Sequence, residues 1–424
     1  MKFISGLLFL IFATNAAFAI EPSEVLAGED VVIGKSYQIA SEILGEDREI
    51  LIALPNGYSD TDQAYPVIYV TEGQWFFSYV SNLTTRLTSR DSMPSSIVVA
   101  VKMANPRRFG WLEAGTPKAD QFLDFIEKEV IGFTDTNFRT NDRRMLVGWE
   151  YGGGFAIHAL EERPHIFDAY IASSPFPVDD QAMKFEALKA LVATAPETKK
   201  SLYFASAEVE SMVREGVEKL AALLRVSAPE GLEWQHRIFA GDRTVVEHTT
   251  TAYPAFLAGL GHYYSSYRPY RPKDLATYQE QGGVEYAKKY YAKRAERYGT
   301  STEIGPKTVW WLLRKAMEED NLELFEEVMA AADAFADPWN PNWYARYANY
   351  LFEKGRQQAA RDMFERTVVE YPTSLRAVFG LAQLYEQIGE NPAARDMYQT
   401  AVQLAEEQRS SHLENIKSKL RALQ

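Results

Sequence analysis

Residues 144–160 read RMLVGWEYGGGFAIHAL. Met145–Val147 is an apolar run of strand length, and Phe155–Leu160 continues it in a helical period. Between them stand Gly148-Trp149-Glu150-Tyr151-Gly152 and two further glycines. This is the layout of a nucleophile elbow, G-x-S-x-G, in which a strand turns sharply into a helix and holds the central side chain at the top of a sheet. Glycine is needed on both sides of that turn because strand and helix pass too closely for a Cβ. The glycines are in place, but Glu150 stands where the nucleophilic serine would be.

Working outward, strand-length apolar or alternating runs recur at Ile50–Leu54, Val67–Val70, Ile97–Val101, Tyr170–Ala172, Leu202–Ala205 and Trp234–Phe239. Helical periods such as Phe122-Phe125-Ile126-Val130 and Val213-Val217-Leu220-Leu224 separate them. The alternation from about Val31 to Gly261 predicts an α/β fold with a mostly parallel sheet flanked by helices. Elbow sites carry their partners later in the chain, in the order nucleophile, acid, histidine, on loops after later strands. His248 has that placement, after Trp234–Phe239 and just before a helix beginning near Thr250. A lone loop histidine is as a rule a solvated surface residue; order and placement single this one out. Glu208 and Glu210 follow Leu202–Ala205, and either can orient an imidazole. Of the other histidines, His158 sits inside the elbow helix as packing, and His165, His236, His262 and His412 have no comparable context.

The ends of the chain read differently. Lys2, the apolar run Leu7–Ala13 and the small-x-small triplet Ala17-Phe18-Ala19 form a secretory signal with cleavage after Ala19. The apolar run is too short to span a bilayer. Removing Lys2 with the signal takes the formal charge from −13 to −14, which argues against nucleic acid and anionic membranes as partners. With no cysteine, thiolate catalysis and Cys-ligated zinc are excluded; no cofactor and no metal is expected. Tyr263–Pro272, YYSSYRPYRP, marks the domain boundary and reads as an extended connector. Beyond Lys273 the pattern is helical only. Ala348, Gly355, Ala359, Ala360, Arg361, Asp362, Met363 and Val368 recur 34 residues later as Ala382, Gly389, Ala393, Ala394, Arg395, Asp396, Met397 and Val402. That period is the tetratricopeptide signature. The expected division is therefore 1–19 signal, 20–264 α/β domain, 265–300 linker and helix, and 301–424 helical domain with repeats at 341–374 and 375–408. The tail serves either as a docking module for a protein partner or as a helical cap.

Residues from about 33 to 261 resemble the esterase branch of the α/β hydrolases that includes enterochelin and related siderophore esterases and is similar to esterase D. The segments that carry the resemblance are IGKSYQIASEILGEDREILIALPNGY, YPVIYVTEGQWFF, DQFLDFIEKEVIGF, the elbow itself and FDAYIASSPF. Some members of this branch also carry a tetratricopeptide tail. The resemblance implies an α/β-hydrolase domain followed by an all-α tetratricopeptide-like domain, a small ester or siderophore-like ligand, and a catalytic set of Glu150, Glu210 and His248; alignment by eye favours Glu210 over Glu208. It implies an oxyanion hole from backbone N–H groups of Tyr151 and of the Glu72-Gly73-Gln74 loop, with Gln74 as the donor there. Trp75, Phe76 and Trp111 either line an acyl or aromatic pocket or pack in the core. Arg107 and Arg108 fall in the segment of a substrate-binding loop, although Phe109-Gly110 follow where the family has an acidic residue.

Glutamate cannot give up a hydroxyl proton to an imidazole as serine does. Related folds use an elbow aspartate as a nucleophile, but glutamate's extra methylene carries its oxygens into the space of the ester carbonyl. Three readings follow: a pseudo-esterase retaining the fold as a binding or scaffolding module, a hydrolase using Glu150 and His248, and an assembly factor acting through its tail.

Overall fold

The computed structural model describes residues 30–103, 108–178, 183–240, 246–333 and 341–423. The signal segment 1–19 and Arg107 lie outside these residues. Eight strands among them form one sheet: β1 (Lys35–Ser41), β2 (Glu46–Ala53), β3 (Tyr65–Val70), β4 (Ile97–Val101), β5 (Thr140–Trp149), β6 (Ala169–Ser173), β7 (Lys200–Ala207) and β8 (Leu232–Phe239). Their order is β1-β2-β4-β3-β5-β6-β7-β8. β1 and β2 pair antiparallel, β2 joins β4 antiparallel, and all later neighbours are parallel.

The central strands are apolar throughout because both faces are covered, as parallel sheets require. Side chains alternate between two cores. Val67, Tyr69, Ile97, Val99 and Leu146 face the helices Pro117–Phe125, Tyr151–Glu162 and Ser211–Ser227. Ile68, Val70, Val98, Met145 and Val147 face the helices Gly73–Thr88 and Ala252–Tyr263. β1 was absent from the apolar runs because it is an edge strand, with Lys35, Ser36 and Gln38 in solvent. The strand order reverses direction between β3 and β5, so the helix after β3 and the helix after β5 leave toward opposite sides. A crevice therefore opens at the carboxyl ends of these two strands, the usual ligand position in such sheets.

The C-terminal region is helical, as expected. The helix pair Pro341–Glu353 and Gln357–Glu370 is followed by Leu375–Gln387 and Asn391–Glu407, each helix starting 34 residues after its counterpart. Ala348, Ala360, Ala382 and Ala394 are fully buried where the helices of each pair meet. Each pair turns through a residue at positive φ, Gly355 (77°) or Gly389 (82°). The next amide then donates back to the carbonyl five residues earlier, from Arg356 to Leu351 O (2.8 Å) and from Glu390 to Tyr385 O (2.9 Å). This is the Schellman closure of a helix C-terminus. The pair Pro306–Glu318 and Leu322–Ala331 closes in the same way, with Asp320 at φ 55° and Asn321 N–H bonded to Ala316 O at 2.8 Å. This pair starts 35 residues before the next and shares none of the eight recurring residues, with Asp320 where the others have glycine, so the 34-residue pattern does not extend to it.

The connector is built into both halves. Tyr263 and Tyr264 pack in an α/β core together with Tyr298, the last residue of the helix Gly283–Tyr298, whereas Tyr270 and Tyr291 belong to the tail core. Arg297 grips Glu233 of β8 with two bonds, at 3.0 and 2.5 Å. Asn141 and Arg143, at the start of β5, donate to the carbonyls of Gly299 (2.9 Å) and Glu296 (2.8 Å). Apolar rings and charge-assisted bonds thus fasten the helical region to the base of the sheet.

Candidate active site

β5 runs into the helix Tyr151–Glu162 through Glu150, whose backbone is at φ 53°, ψ −115°. Non-glycine residues are rarely held there, at a cost of about 1–3 kcal/mol, unless surrounding bonds fix them. The Glu150 amide donates to Ser173 O at 2.9 Å, and its carbonyl accepts from Gly154 N (2.9 Å) and Phe176 N (3.0 Å). The glycine requirement is visible in the packing. A Cβ on Gly148 would lie 2.0 Å from Gly152 O, one on Gly152 would lie 2.2 Å from Thr71 Oγ1, and one on Gly153 would lie 2.7 Å from Ser173 O.

At the end of β7 the chain turns to present Glu210, which is 8% exposed. Its carboxylate accepts from Ala207 N (2.5 Å), Ser174 Oγ (3.0 Å) and Thr251 Oγ1 (3.3 Å), and its other oxygen meets His248 Nδ1 at 2.5 Å. Glu208 is exposed, with its amide bonded to Phe239 O. On the far side of the imidazole, His248 Nε2 lies 3.5 Å from Glu150 Oε1. The His248 ring lies against Trp149, centroids 4.8 Å apart, and the Trp149 indole N–H donates to His248 O at 3.0 Å. Glu150, named from the elbow, His248, named from chain order, and Glu210, favoured over Glu208 by the family resemblance, therefore stand in one line. Ser174, Thr251 and Trp149 were not foreseen, because a buried hydroxyl or a ring beneath an imidazole has no signature in sequence spacing.

The imidazole carries the electrostatic consequence. The Glu150 carboxylate first, and Glu210 second, push the His248 pKa up to about 9 against the opposing effect of burial. The two carboxylates thus favour the imidazolium and disfavour the neutral ring that can accept a proton.

The residues expected around the crevice are placed unequally. Gln74 lies in the opening turn of the helix Gly73–Thr88 and Tyr151 in that of the elbow helix. Opening-turn amides are the ones a helix does not use internally. The two helices meet where Gly152 packs on Thr71 and the buried Glu72. The Gln74 side chain is committed to holding this loop, its Oε1 accepting from Met103 N at 3.0 Å. Trp75 is 43% exposed and meets Trp149 edge to face at 6.1 Å. Phe76 is buried in the core against Trp149 and Phe256. Trp111 is turned elsewhere, under the Arg48 guanidinium (5.5 Å) and the Lys118 ammonium (5.7 Å) and beside Phe122. The aromatic that reaches the elbow from that segment is Phe109, edge to face with Tyr151 at 5.0 Å. Arg108 begins a short helix, Arg108–Leu112. His158 is structural: it accepts from Gly115 N at 3.4 Å and contacts Asp120 at 3.0 Å. Among the described residues, no group of three or more His, Asp or Glu side chains is arranged to hold a metal ion.

A mixed eight-stranded sheet wound by helices on both faces, with an elbow after β5, an acid after β7 and a histidine after β8, defines an α/β hydrolase. The family model described as "Putative esterase" matches residues 41–261, just over half of the chain, and the chain belongs to that family. It is similar to a siderophore triacetylfusarinine C esterase of Aspergillus fumigatus, with 32% identity over 151 residues, 31% of this chain and 52% of that protein. The chain thus spans about half the length of this curated relative. Among solved structures it is similar to an IroE-like serine hydrolase from Shewanella oneidensis, with TM-score 0.53 and 23% identity over 72% of this chain and 100% of the other. It is also similar to an uncharacterised protein from Capnocytophaga ochracea, with TM-score 0.58 and 18% identity over 92% of this chain and 99% of the other. At these identities the two structures speak to the fold alone.

Proposed function

We propose that this member of the esterase family is a pseudo-esterase, an exported protein that keeps the hydrolase crevice as a binding site and has lost ester hydrolysis. The observation that carries the reading is the line Glu150–His248–Glu210. A carboxylate at the elbow has no proton to give, and it turns the imidazole that should act as base into a cation. The ligand class is a small ester or siderophore-like molecule, following the activity for which the Aspergillus relative is named. Trp75 and Phe109 form the exposed aromatic wall on either side of the elbow. Gln74 and Tyr151 amides are the proposed oxyanion donors, and Arg107 and Arg108 the proposed anion contacts. In the same proposal, residues 1–19 are a signal that exports the protein. Residues 20–264 and 301–424, joined by 265–300, are its two units, and the helix pairs at 341–374 and 375–408 are tetratricopeptide repeats that receive a protein partner.

One feature favours a second reading, an active hydrolase. Glu150 keeps 18% of its side chain in solvent beside a His–Glu dyad, the arrangement in which a carboxylate attacks and the dyad then activates water. Steady-state hydrolysis of p-nitrophenyl acetate separates the two. The pseudo-esterase gives no turnover above background. Turnover that is lost in both Glu150→Gln and His248→Ala selects the hydrolase.

A further inference from the structure

At the opposite end of the sheet from the elbow, a cavity of about 890 Å³ lies between the α/β domain and the helix Gly283–Tyr298. Its wall holds six cations, Arg143, Lys199, Lys200, Lys293, Arg294 and Arg297, contributed by the starts of β5 and β7 and by that helix. Three carboxylates, Asp168, Glu197 and Glu296, line it with them. In a chain of formal charge −13 this local excess of positive charge runs against the overall balance.

The partners of these cations show how far the excess is compensated. Asp168 is shared between Lys200 (3.4 Å) and Arg143 (3.8 Å), and Arg297 is held by Glu233 from β8. The Arg294 guanidinium stacks on Tyr267 (4.6 Å) and Tyr291 (4.3 Å). The Lys199 and Lys293 side chains are exposed and make no hydrogen bond or close ion pair among the described residues; Lys199 acts on Glu233, which Arg297 already holds, only through its longer-range field. Like charges brought together in a concave space raise one another's free energy, and focused fields in such a space recruit a counter-ion. Lys200 shows the same situation from within: it is 6% exposed, and burial draws its pKa below the usual lysine range despite Asp168.

We propose that this cavity is a binding site for a small multivalent oxyanion, a molecule carrying two or more phosphate or carboxylate groups, with Lys199 and Lys293 reaching it from opposite walls. Because one wall belongs to the α/β domain and the other to the helix leading into the tail, the bound anion clamps the two halves together. The site is independent of the elbow and of the catalytic state of Glu150.

Pyrophosphate and citrate are the probes, titrated by calorimetry and by thermal unfolding against sodium chloride of matched ionic strength. One of the two, or both, is expected to bind the wild-type protein with a sub-millimolar Kd and to raise Tm, whereas chloride does neither; pyrophosphate alone assigns a phosphate ligand and citrate alone a carboxylate ligand. The double variant Lys199→Ala/Lys293→Ala changes two exposed side chains and relieves repulsion among the cations, so its Tm without ligand should equal or slightly exceed that of the wild type, and it should bind at least tenfold more weakly. Lys189→Ala, on a surface helix elsewhere, should bind as the wild type does. Equal responses to the probes and to chloride, or undiminished binding by the double variant, would overturn the proposal.

Discussion

Replacing Glu150 by glutamine removes a charge and leaves the shape of the site, so its effect on His248 reads the coupling directly. Two unit charges 3.5 Å apart interact by about 1.2 kcal/mol in bulk water and about 4.7 kcal/mol at an effective dielectric of about 20. The His248 side chain is 39% exposed, which places the pair toward the lower figure, and about 1.4 kcal/mol corresponds to one pKa unit. Glu150→Gln should therefore lower the His248 pKa from about 9 by about 1–2 units. It should stay above the ordinary histidine value because Glu210, at 2.5 Å, remains. A raised folded pKa means stability that is complete below the unfolded pKa of about 6.5 and fades as pH rises through the folded value. The wild type should thus exceed Glu150→Gln by about 1–2 kcal/mol near pH 6, and the gap should close by about pH 10. NMR titration of the His248 ring and urea unfolding at several pH values measure the two quantities. An unshifted His248 in the wild type, or one that titrates identically in both variants, would refute the pairing.

Glu210 is expected to be structural as well as electrostatic: Glu210→Gln leaves buried donors from Ala207, Ser174 and Thr251 poorly matched and should cost about 2–4 kcal/mol in urea unfolding. In the tail, a Cβ on Gly380 would lie 2.4 Å from the Phe364 ring, so Gly380→Ala should cost about 1–3 kcal/mol by overpacking, read in thermal unfolding. Mass spectrometry of the exported protein should find Ile20 as the first residue; a full-length chain recovered with membranes would contradict cleavage after Ala19.

Much of this was legible because it depends on local rules. The elbow could be read from its glycines, whose missing Cβ atoms are what the close approach of β5 to its helix demands. His248 could be placed from chain order, since the loops after β7 and β8 follow from the sheet itself, whereas chain order left Glu208 and Glu210 open and the family resemblance favoured Glu210. Contacts across the fold were not legible. Trp111 and Phe109 are two residues apart, and only the helix they share decides that Phe109 meets Tyr151 while Trp111 lies under Arg48. The connector reads as a linker because its tyrosines and prolines have no period, yet Tyr263 and Tyr264 are buried by Tyr298, some thirty residues on. The helix pair Pro306–Glu318 and Leu322–Ala331 lies outside the 34-residue pattern because it is offset by 35 residues and carries none of the recurring residues, Asp320 taking the turn that glycine takes in the other two.

On the proposed function, the site keeps its elbow, its imidazole and its acid and lacks only a nucleophilic serine. The most direct measurement is labelling of the purified mature protein by a fluorophosphonate probe, for the wild type beside Glu150→Ser, with the modified peptide mapped by mass spectrometry. The account predicts no labelled serine in the wild type and a label at position 150 in the variant, where the elbow, His248 and Glu210 are already in position. A labelled serine in the wild type would show an intact nucleophile elsewhere and contradict it.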